Sequence, residues 1–141
     1  GNDALRKNSP LSFFKNFNLE VEGPYKNKFD IKTRALLPLV DGARLFALYF
    51  EVRGINNTYQ RFKQFAITDP KHAEVYLNCA EAFLVLSKFR TLEGLKNDNS
   101  GEFINLEELS KIDREKLKNA LAPMRELEEL IKSKFQLTHF S

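Results

Sequence analysis

The chain has 141 residues, a formal net charge of +3 and 43% hydrophobic residues. This length suits one domain with its own core, and so small a charge argues against a nucleic-acid-binding surface. Cys79 is the only cysteine, which excludes an internal disulfide and a cysteine-based zinc site and leads us to expect a reducing, cytoplasmic setting. Without a long apolar run or a basic-then-apolar leader, we expect neither a membrane span nor a signal peptide.

The first residues predict a connection to a longer protein. The chain begins with Gly1 and its only methionine is Met124, so we expect a domain taken from a larger chain. Residues 1–16 are predicted to be a linker or short helix from an upstream domain, and residues 17–141 a single helical domain. The aromatic cluster of Phe13, Phe14 and Phe17 either anchors this terminus on the helices or docks onto the upstream domain.

A short β-hairpin is predicted next. Apolar and polar residues alternate over residues 17–22 and 28–32, on either side of a Gly-Pro turn. The polar face sets two glutamates against two lysines, which suits pairing between the strands. The glutamates, Glu20 and Glu22, share one strand face and could instead bind a hard cation, but the neighbouring lysines favour ion pairs.

Four helices follow, each with a recognisable start or end signal. Short connections make sequential helices antiparallel neighbours. The predicted fold is therefore mainly all-α: an antiparallel bundle of about four helices with a short N-terminal β-hairpin. The predicted helices are 30–53 with Pro38 in or near its first turn, 58–67 after the cap Asn57, 71–96 after Asp69-Pro70, and 111–136 after the cap Ser110 with a kink at Pro123.

Charged residues interrupt two of the apolar helix faces. Asp41 and Arg44 lie three residues apart on the first helix, close enough to touch. Arg90 continues an apolar line of the second long helix, residues 71–96. One interpretation is an ion network that fixes helix register. The other is an anion site, in which Asp41 positions guanidiniums that fork onto phosphate or carboxylate oxygens.

Catalytic motifs are absent from the sequence. Its two histidines, His72 and His139, are expected to face solvent, and neither has an arginine four to six residues before it as in a helical RNase. There is no glycine-rich phosphate loop, no Gly-x-Ser-x-Gly elbow and no Asp-x-Asp pair. We expect no catalytic residue, metal site or cofactor in this chain.

The segment LPLVDGAR, residues 37–44, resembles a known family, and the resemblance extends from Ala4 to Ser110. The chain is similar to the nucleotidyltransferase substrate-binding domain found at the C-terminus of bacterial signal-transduction proteins, after cyclic-nucleotide-binding, CBS-pair and nucleotidyltransferase domains. The resemblance implies an all-α bundle that closes the active-site cleft of an upstream nucleotidyltransferase domain. The catalytic carboxylates, the nucleoside triphosphate and its Mg²⁺ would belong to that upstream domain.

The resemblance also implies roles for particular residues. Asp41 and Arg44 match the family motif, and Arg90 matches an arginine that is often followed by histidine, where this chain has Thr91. The implied function is a non-catalytic, regulatory substrate-binding or lid domain that assists transfer of a nucleotidyl group to a nucleotide or protein acceptor. The rival hypothesis is a helical interaction or dimerisation module that relays a signal, binds no small molecule and uses the N-terminal phenylalanines as its contact surface.

Overall fold

The computed structural model describes residues 25–140, and their side chains as far as residue 135. Within this range the chain forms four α-helices and one two-stranded antiparallel sheet, which confirms the mainly all-α prediction. In chain order the elements are β1 (Phe29–Asp30), a π-helical turn (Lys32–Leu36), α1 (Leu37–Tyr49), α2 (Thr58–Thr68), a 3₁₀ turn (Pro70–His72), α3 (Ala73–Asn97), β2 (Phe103–Ile104), a second 3₁₀ turn (Leu106–Glu108) and α4 (Lys111–Phe140).

The helices begin where local capping signals predict. The Asn57 side-chain oxygen accepts a hydrogen bond from the backbone N–H of Gln60 at 3.0 Å, and α2 starts at the next residue. Ser110 Oγ accepts from the N–H of Asp113 at 3.1 Å and starts α4 in the same way. Pro38 is the second residue of α1, but the chain is already helical through the π-helical turn before it, so this proline lies within a longer helical run.

The end of α1 differs from the prediction. The helix ends at Tyr49 and does not continue to residue 53. Glu51 adopts a left-handed conformation with φ 56°, and the N–H of Val52 reaches back to the carbonyl of Ala47 at 2.9 Å. This is the Schellman arrangement, which normally has glycine at the left-handed position. A glutamate in that position gives no stop signal in the sequence. The predicted helix therefore extends to the residue before the next glycine, Gly54.

The small sheet also differs from the predicted hairpin. Phe29 pairs with Ile104 and Asp30 with Phe103. The described partner of the second predicted arm is therefore β2, which follows α3 in the chain. This arm is shorter than predicted, because the chain is already helical from Ile31 and Lys32 onward. The first predicted arm, with Glu20 and Glu22, lies outside the described residues, as does the N-terminal phenylalanine cluster.

Side-chain contacts define how the long helices run. Cys79 Sγ lies 3.8 Å from the carbonyl of Pro123, and Lys96 pairs with Glu108 at 2.7 Å, so α3 and α4 are antiparallel. A Cβ placed on Gly42 of α1 would meet Leu127 Cδ2 of α4 at 3.1 Å. Because Gly42 approaches Leu127 so closely, α1 lies directly against α4.

Aromatic side chains fill the centre of the bundle. Phe46 of α1, Phe65 of α2 and Tyr76 of α3 are fully buried, with ring centroids 5.6 to 5.9 Å apart. Phe135 of α4 packs on Phe46 at 5.7 Å, so all four helices meet here. Among the helices of the described range, none is long and apolar enough to cross a membrane.

Candidate functional site

A groove of about 380 Å³ lies between the start of α1 and the C-terminal half of α3. Arg90, one of the three predicted site residues, faces it together with Lys32 of the π-helical turn. The remaining lining combines an apolar wall with two hydroxyl groups, and consists of Leu36, Leu37, Val40, Phe83, Ser87 and Thr91. Two cations therefore border an otherwise uncharged groove.

The charges around this groove do not balance. Arg90 Nε donates a hydrogen bond to the carbonyl of Ser100 at 3.0 Å, and its Nη2 lies 3.7 Å from Glu102 Oε1. The same carboxylate oxygen accepts from Lys32 Nζ at 3.1 Å. One carboxylate thus serves two cations, so the cluster keeps an excess of one positive charge. The Arg90 side chain remains 33% exposed and can reach a ligand.

The loop whose Ser100 carbonyl accepts the hydrogen bond from Arg90 requires glycine at the next residue. Gly101 has φ +69°, and a Cβ there would lie 1.9 Å from the carbonyl oxygen of Arg90. Its N–H donates to the side-chain oxygen of Asn99 at 2.8 Å. Because Gly101 lets the loop pack directly on α3, the Ser100 carbonyl comes within reach of the Arg90 guanidinium.

The other two predicted site residues lie further along α1. Asp41 is half-buried and Arg44 is exposed, each one helical turn after a groove-lining residue, Leu37 and Val40 respectively. Among the described residues the structure forms no ion pair between Asp41 and Arg44, and it joins Arg90 to Lys32 and Glu102 instead. A binding role for Asp41, Arg44 and Arg90 stays a prediction.

Several residues of the LPLVDGAR segment pack in the core of the bundle and do not face the groove. Pro38, Leu39, Gly42 and Ala43 are buried. Gly42 permits the close approach of α1 to Leu127 on α4. The apolar residues of the segment therefore build the bundle, and its two charged residues lie outside the core.

A polar cluster at the junction of α2 and α3 was not predicted. Asp69 Oδ2 accepts hydrogen bonds from Tyr76 Oη at 2.7 Å and Lys134 Nζ at 3.1 Å, and His72 Nδ1 lies 3.1 Å from it. His72, expected to face solvent, is half-buried. The Lys134 ammonium also lies over the rings of Tyr49 and Phe50, at 5.7 and 5.6 Å from their centroids.

The environment of this cluster shifts two pKa values. Burial alone would raise the pKa of Asp69, but the hydrogen bonds from Tyr76, Lys134 and His72 outweigh burial and lower that pKa below its ordinary value. Burial, followed by the hydrogen bond to Asp69, raises the pKa of Tyr76, so its hydroxyl remains a donor. Through Lys134, the cluster therefore joins the C-terminal half of α4 to the α2–α3 junction.

A larger groove of about 960 Å³ runs between α3 and α4 and was also not predicted. Its apolar floor includes Val85, Phe89 and Pro123. Charged side chains of both signs form its rims, including Glu81 and Lys88 on α3. In the part of the chain that the structure describes, no group of three or more His, Cys, Asp or Glu side chains is placed to hold a metal ion.

The fold and the groove together define a helical-bundle domain with two cationic side chains beside an apolar groove. The chain belongs to the family described as "Putative nucleotidyltransferase substrate binding domain", whose model matches residues 1–135. The family description associates such a domain with a nucleotidyltransferase domain. No curated protein and no solved structure matches the chain significantly.

Proposed function

We propose that this chain is a non-catalytic substrate-binding domain of a multidomain nucleotidyltransferase in bacterial signal transduction, and that the groove at Arg90 receives an anionic group of the substrate. The observation that carries the proposal is the charge imbalance at the groove, where Arg90 and Lys32 share the single carboxylate of Glu102. Phosphate oxygens would neutralise the excess positive charge.

The geometry of Arg90 suits phosphate recognition. The hydrogen bond from Nε to the Ser100 carbonyl fixes the plane of the guanidinium. The terminal nitrogens, Nη1 and Nη2, can then form a fork onto two oxygens of one phosphate, which lysine cannot do. Lys32 supplies a second positive charge from the opposite wall of the groove.

Arg44 extends this surface along α1. It follows Val40 by one turn, about 6 Å along the helix axis, so a ligand with several phosphates can contact the groove and Arg44 together. In this proposal Asp41 orients the Arg44 guanidinium when the ligand is bound. The nucleotidyltransferase domain supplies the catalytic carboxylates, the nucleoside triphosphate and its Mg²⁺, and this domain closes over a nucleotide or protein acceptor.

Calorimetric titration of the chain with ATP and with tripolyphosphate tests the proposal. Arg90→Gln should weaken binding of both probes by about tenfold or more, because a hydrogen bond to a charged group is worth roughly 1.5–3 kcal/mol. Arg114→Gln is the matched control, since Arg114 also donates to a backbone carbonyl, that of Leu106 at 3.0 Å, but does not line the groove. Equal affinities of wild type and a folded Arg90→Gln variant would refute the proposal.

A second function, a helical interaction or dimerisation module, is favoured by a different observation. Large apolar side chains on α3 are exposed, including Leu84 and Leu92 at 46% and 55%. Such a module would self-associate or bind a protein and would bind neither ATP nor tripolyphosphate. The titration with ATP and tripolyphosphate therefore separates the two functions.

A further inference from the structure

The outward face of α3 is more apolar than a solvent-facing helix surface usually is. Leu77, Leu84 and Leu92 are 38%, 46% and 55% exposed, and the half-buried Val85 lies among them. On a helix with 3.6 residues per turn these four positions fall on one side. A stripe of exposed large apolar side chains commonly marks a protein interaction surface.

Two opposite charges lie within this stripe. Glu81 and Lys88 are both exposed. They are seven residues apart, about 10 Å along the helix axis, which is too far for them to pair with each other. In the described structure neither forms an ion pair with another residue, so both are available to a partner.

The order of these residues is a palindrome with its charges reversed. Read from Leu77 the stripe is Leu-x-x-x-Glu-x-x-Leu-Val-x-x-Lys-x-x-x-Leu, and its midpoint lies between Leu84 and Val85. When the stripe is read backwards from Leu92, leucine takes the place of leucine and lysine takes the place of glutamate. A surface with this property is complementary to a second copy of itself related by a two-fold axis.

We infer that this face of α3 is a homodimer contact, in which the helices of two copies cross antiparallel between residues 84 and 85. Glu81 then lies opposite Lys88 of the second copy, and Leu77 lies opposite Leu92. Because the axis repeats every contact, the interface contains two such ion pairs. The apolar residues between them are removed from water, which supplies the favourable free energy of association.

The second helix of each copy adds charges of both signs to the same groove. Since α3 and α4 are antiparallel, Glu126 of α4 lies toward the Glu81 end of the large groove and Lys116 lies toward Lys88. Asp113, Glu93 and Glu108 also line the groove toward Lys88, so the charges that match across the two-fold axis are Glu81 and Lys88 of α3. Two antiparallel helix pairs packed face to face form a four-helix arrangement that fills the groove.

The inferred contact does not depend on substrate binding. Arg90 lies on the side of α3 that faces α1, and the stripe from Leu77 to Leu92 lies on the other side. The two surfaces can be changed separately. A wild type that dimerises but does not bind nucleotide would count against the proposed function alone, and loss of the dimer with intact nucleotide binding is the expected phenotype of the interface variants.

Sedimentation equilibrium over a dilution series of the full chain tests the inference by charge exchange. The wild type should dimerise, and Glu81→Lys and Lys88→Glu should each raise the dissociation constant by about tenfold or more, because each creates two like-charge contacts. An equimolar mixture of the two single variants should dimerise again, since every lysine then faces a glutamate. Glu115→Lys makes the same charge change at an exposed position outside the groove and should leave the dimer intact.

Three results would overturn the inference. The first is a wild type that stays monomeric throughout the dilution series, and the second is a pair of single variants that dimerise as well as wild type. The third is a mixture that fails to recover dimerisation, which would exclude the antiparallel register. Circular dichroism of each variant checks the fold, and Leu84→Asp, which places two carboxylates at the axis, should dissociate the dimer independently of the charge pair.

Discussion

Replacing Gly101 with alanine should destabilise the domain and weaken its anion site in one step. The new Cβ would lie 1.9 Å from the Arg90 carbonyl oxygen and 2.7 Å from the Gly94 nitrogen, whereas such contacts essentially never fall below 3.0 Å. The loop must therefore move away from α3 by about 1 Å, the difference between the 1.9 Å contact and the 3.0 Å limit. That movement breaks or lengthens the hydrogen bond from Arg90 Nε to the Ser100 carbonyl.

The magnitude follows from two separate costs. Holding alanine at φ +69° destabilises the folded state by about 1–2 kcal/mol. Alanine also has less conformational freedom than glycine in the unfolded chain, which offsets roughly 0.4–1 kcal/mol of that cost. Overpacking of the loop against α3 adds about 1–3 kcal/mol. The expected loss in the free energy of unfolding is therefore about 1–5 kcal/mol.

Urea denaturation followed by circular dichroism measures this loss, and Gly54 provides the matched control. Gly54 also has a positive φ, +80°, but a Cβ there would meet nothing within 4 Å. Gly54→Ala should therefore cost about 1 kcal/mol, the conformational part alone. Equal losses for the two variants would refute the steric argument, and unchanged ATP affinity in Gly101→Ala would refute the link between this loop and Arg90.

Three further predictions concern the packing and the polar cluster. The pKa of Asp69 is lower in the folded than in the unfolded state, where it lies near 3.8, so its contribution to stability is full above that pH and is lost as the pH falls through the folded pKa. Urea midpoints measured against pH should show this acid loss, and Asp69→Asn should flatten it; an unchanged slope would contradict the assignment. Cys79 is buried, and burial and then Glu126 raise the pKa of its thiol, so a thiol reagent should label it slowly in buffer and rapidly in urea. Fast labelling of the native protein would count against this packing. Gly42→Val should cost about 1–3 kcal/mol in urea denaturation, because its side chain would displace Leu127, and a variant as stable as wild type would show that α1 and α4 are further apart than described.

Local signals in the sequence located the starts of α2 and α4 correctly. Asn57 and Ser110 act through hydrogen bonds to backbone groups three residues away, so the whole interaction is contained in a short segment of sequence. The end of α1 was misplaced because Glu51 occupies a left-handed position that usually holds glycine. Helix starts with side-chain caps are therefore more predictable than ends that rely on backbone conformation alone.

Non-local pairing explains what the sequence did not reveal. The partner of β1 lies in residues 103 and 104, after three helices, and no alternating pattern near β1 points to it. The sequence identified Arg90 as a charge on an apolar line, but Lys32 and Glu102, which share the cluster with it, are 70 residues apart. Lys134 is one of many charged residues on α4, and its approach to Asp69 depends on how the helices pack.

Backbone amide shifts in an NMR titration of the chain with ATP would test the central claim most directly. An anion site at Arg90 predicts shifts concentrated around the groove, at Lys32, Leu37, Val40, Arg90 and Thr91, and extending to Arg44. Val85 and Phe89, in the groove between α3 and α4, should change little. Shifts confined to that larger groove, or no saturable shifts with ATP, would contradict an anion site at Arg90.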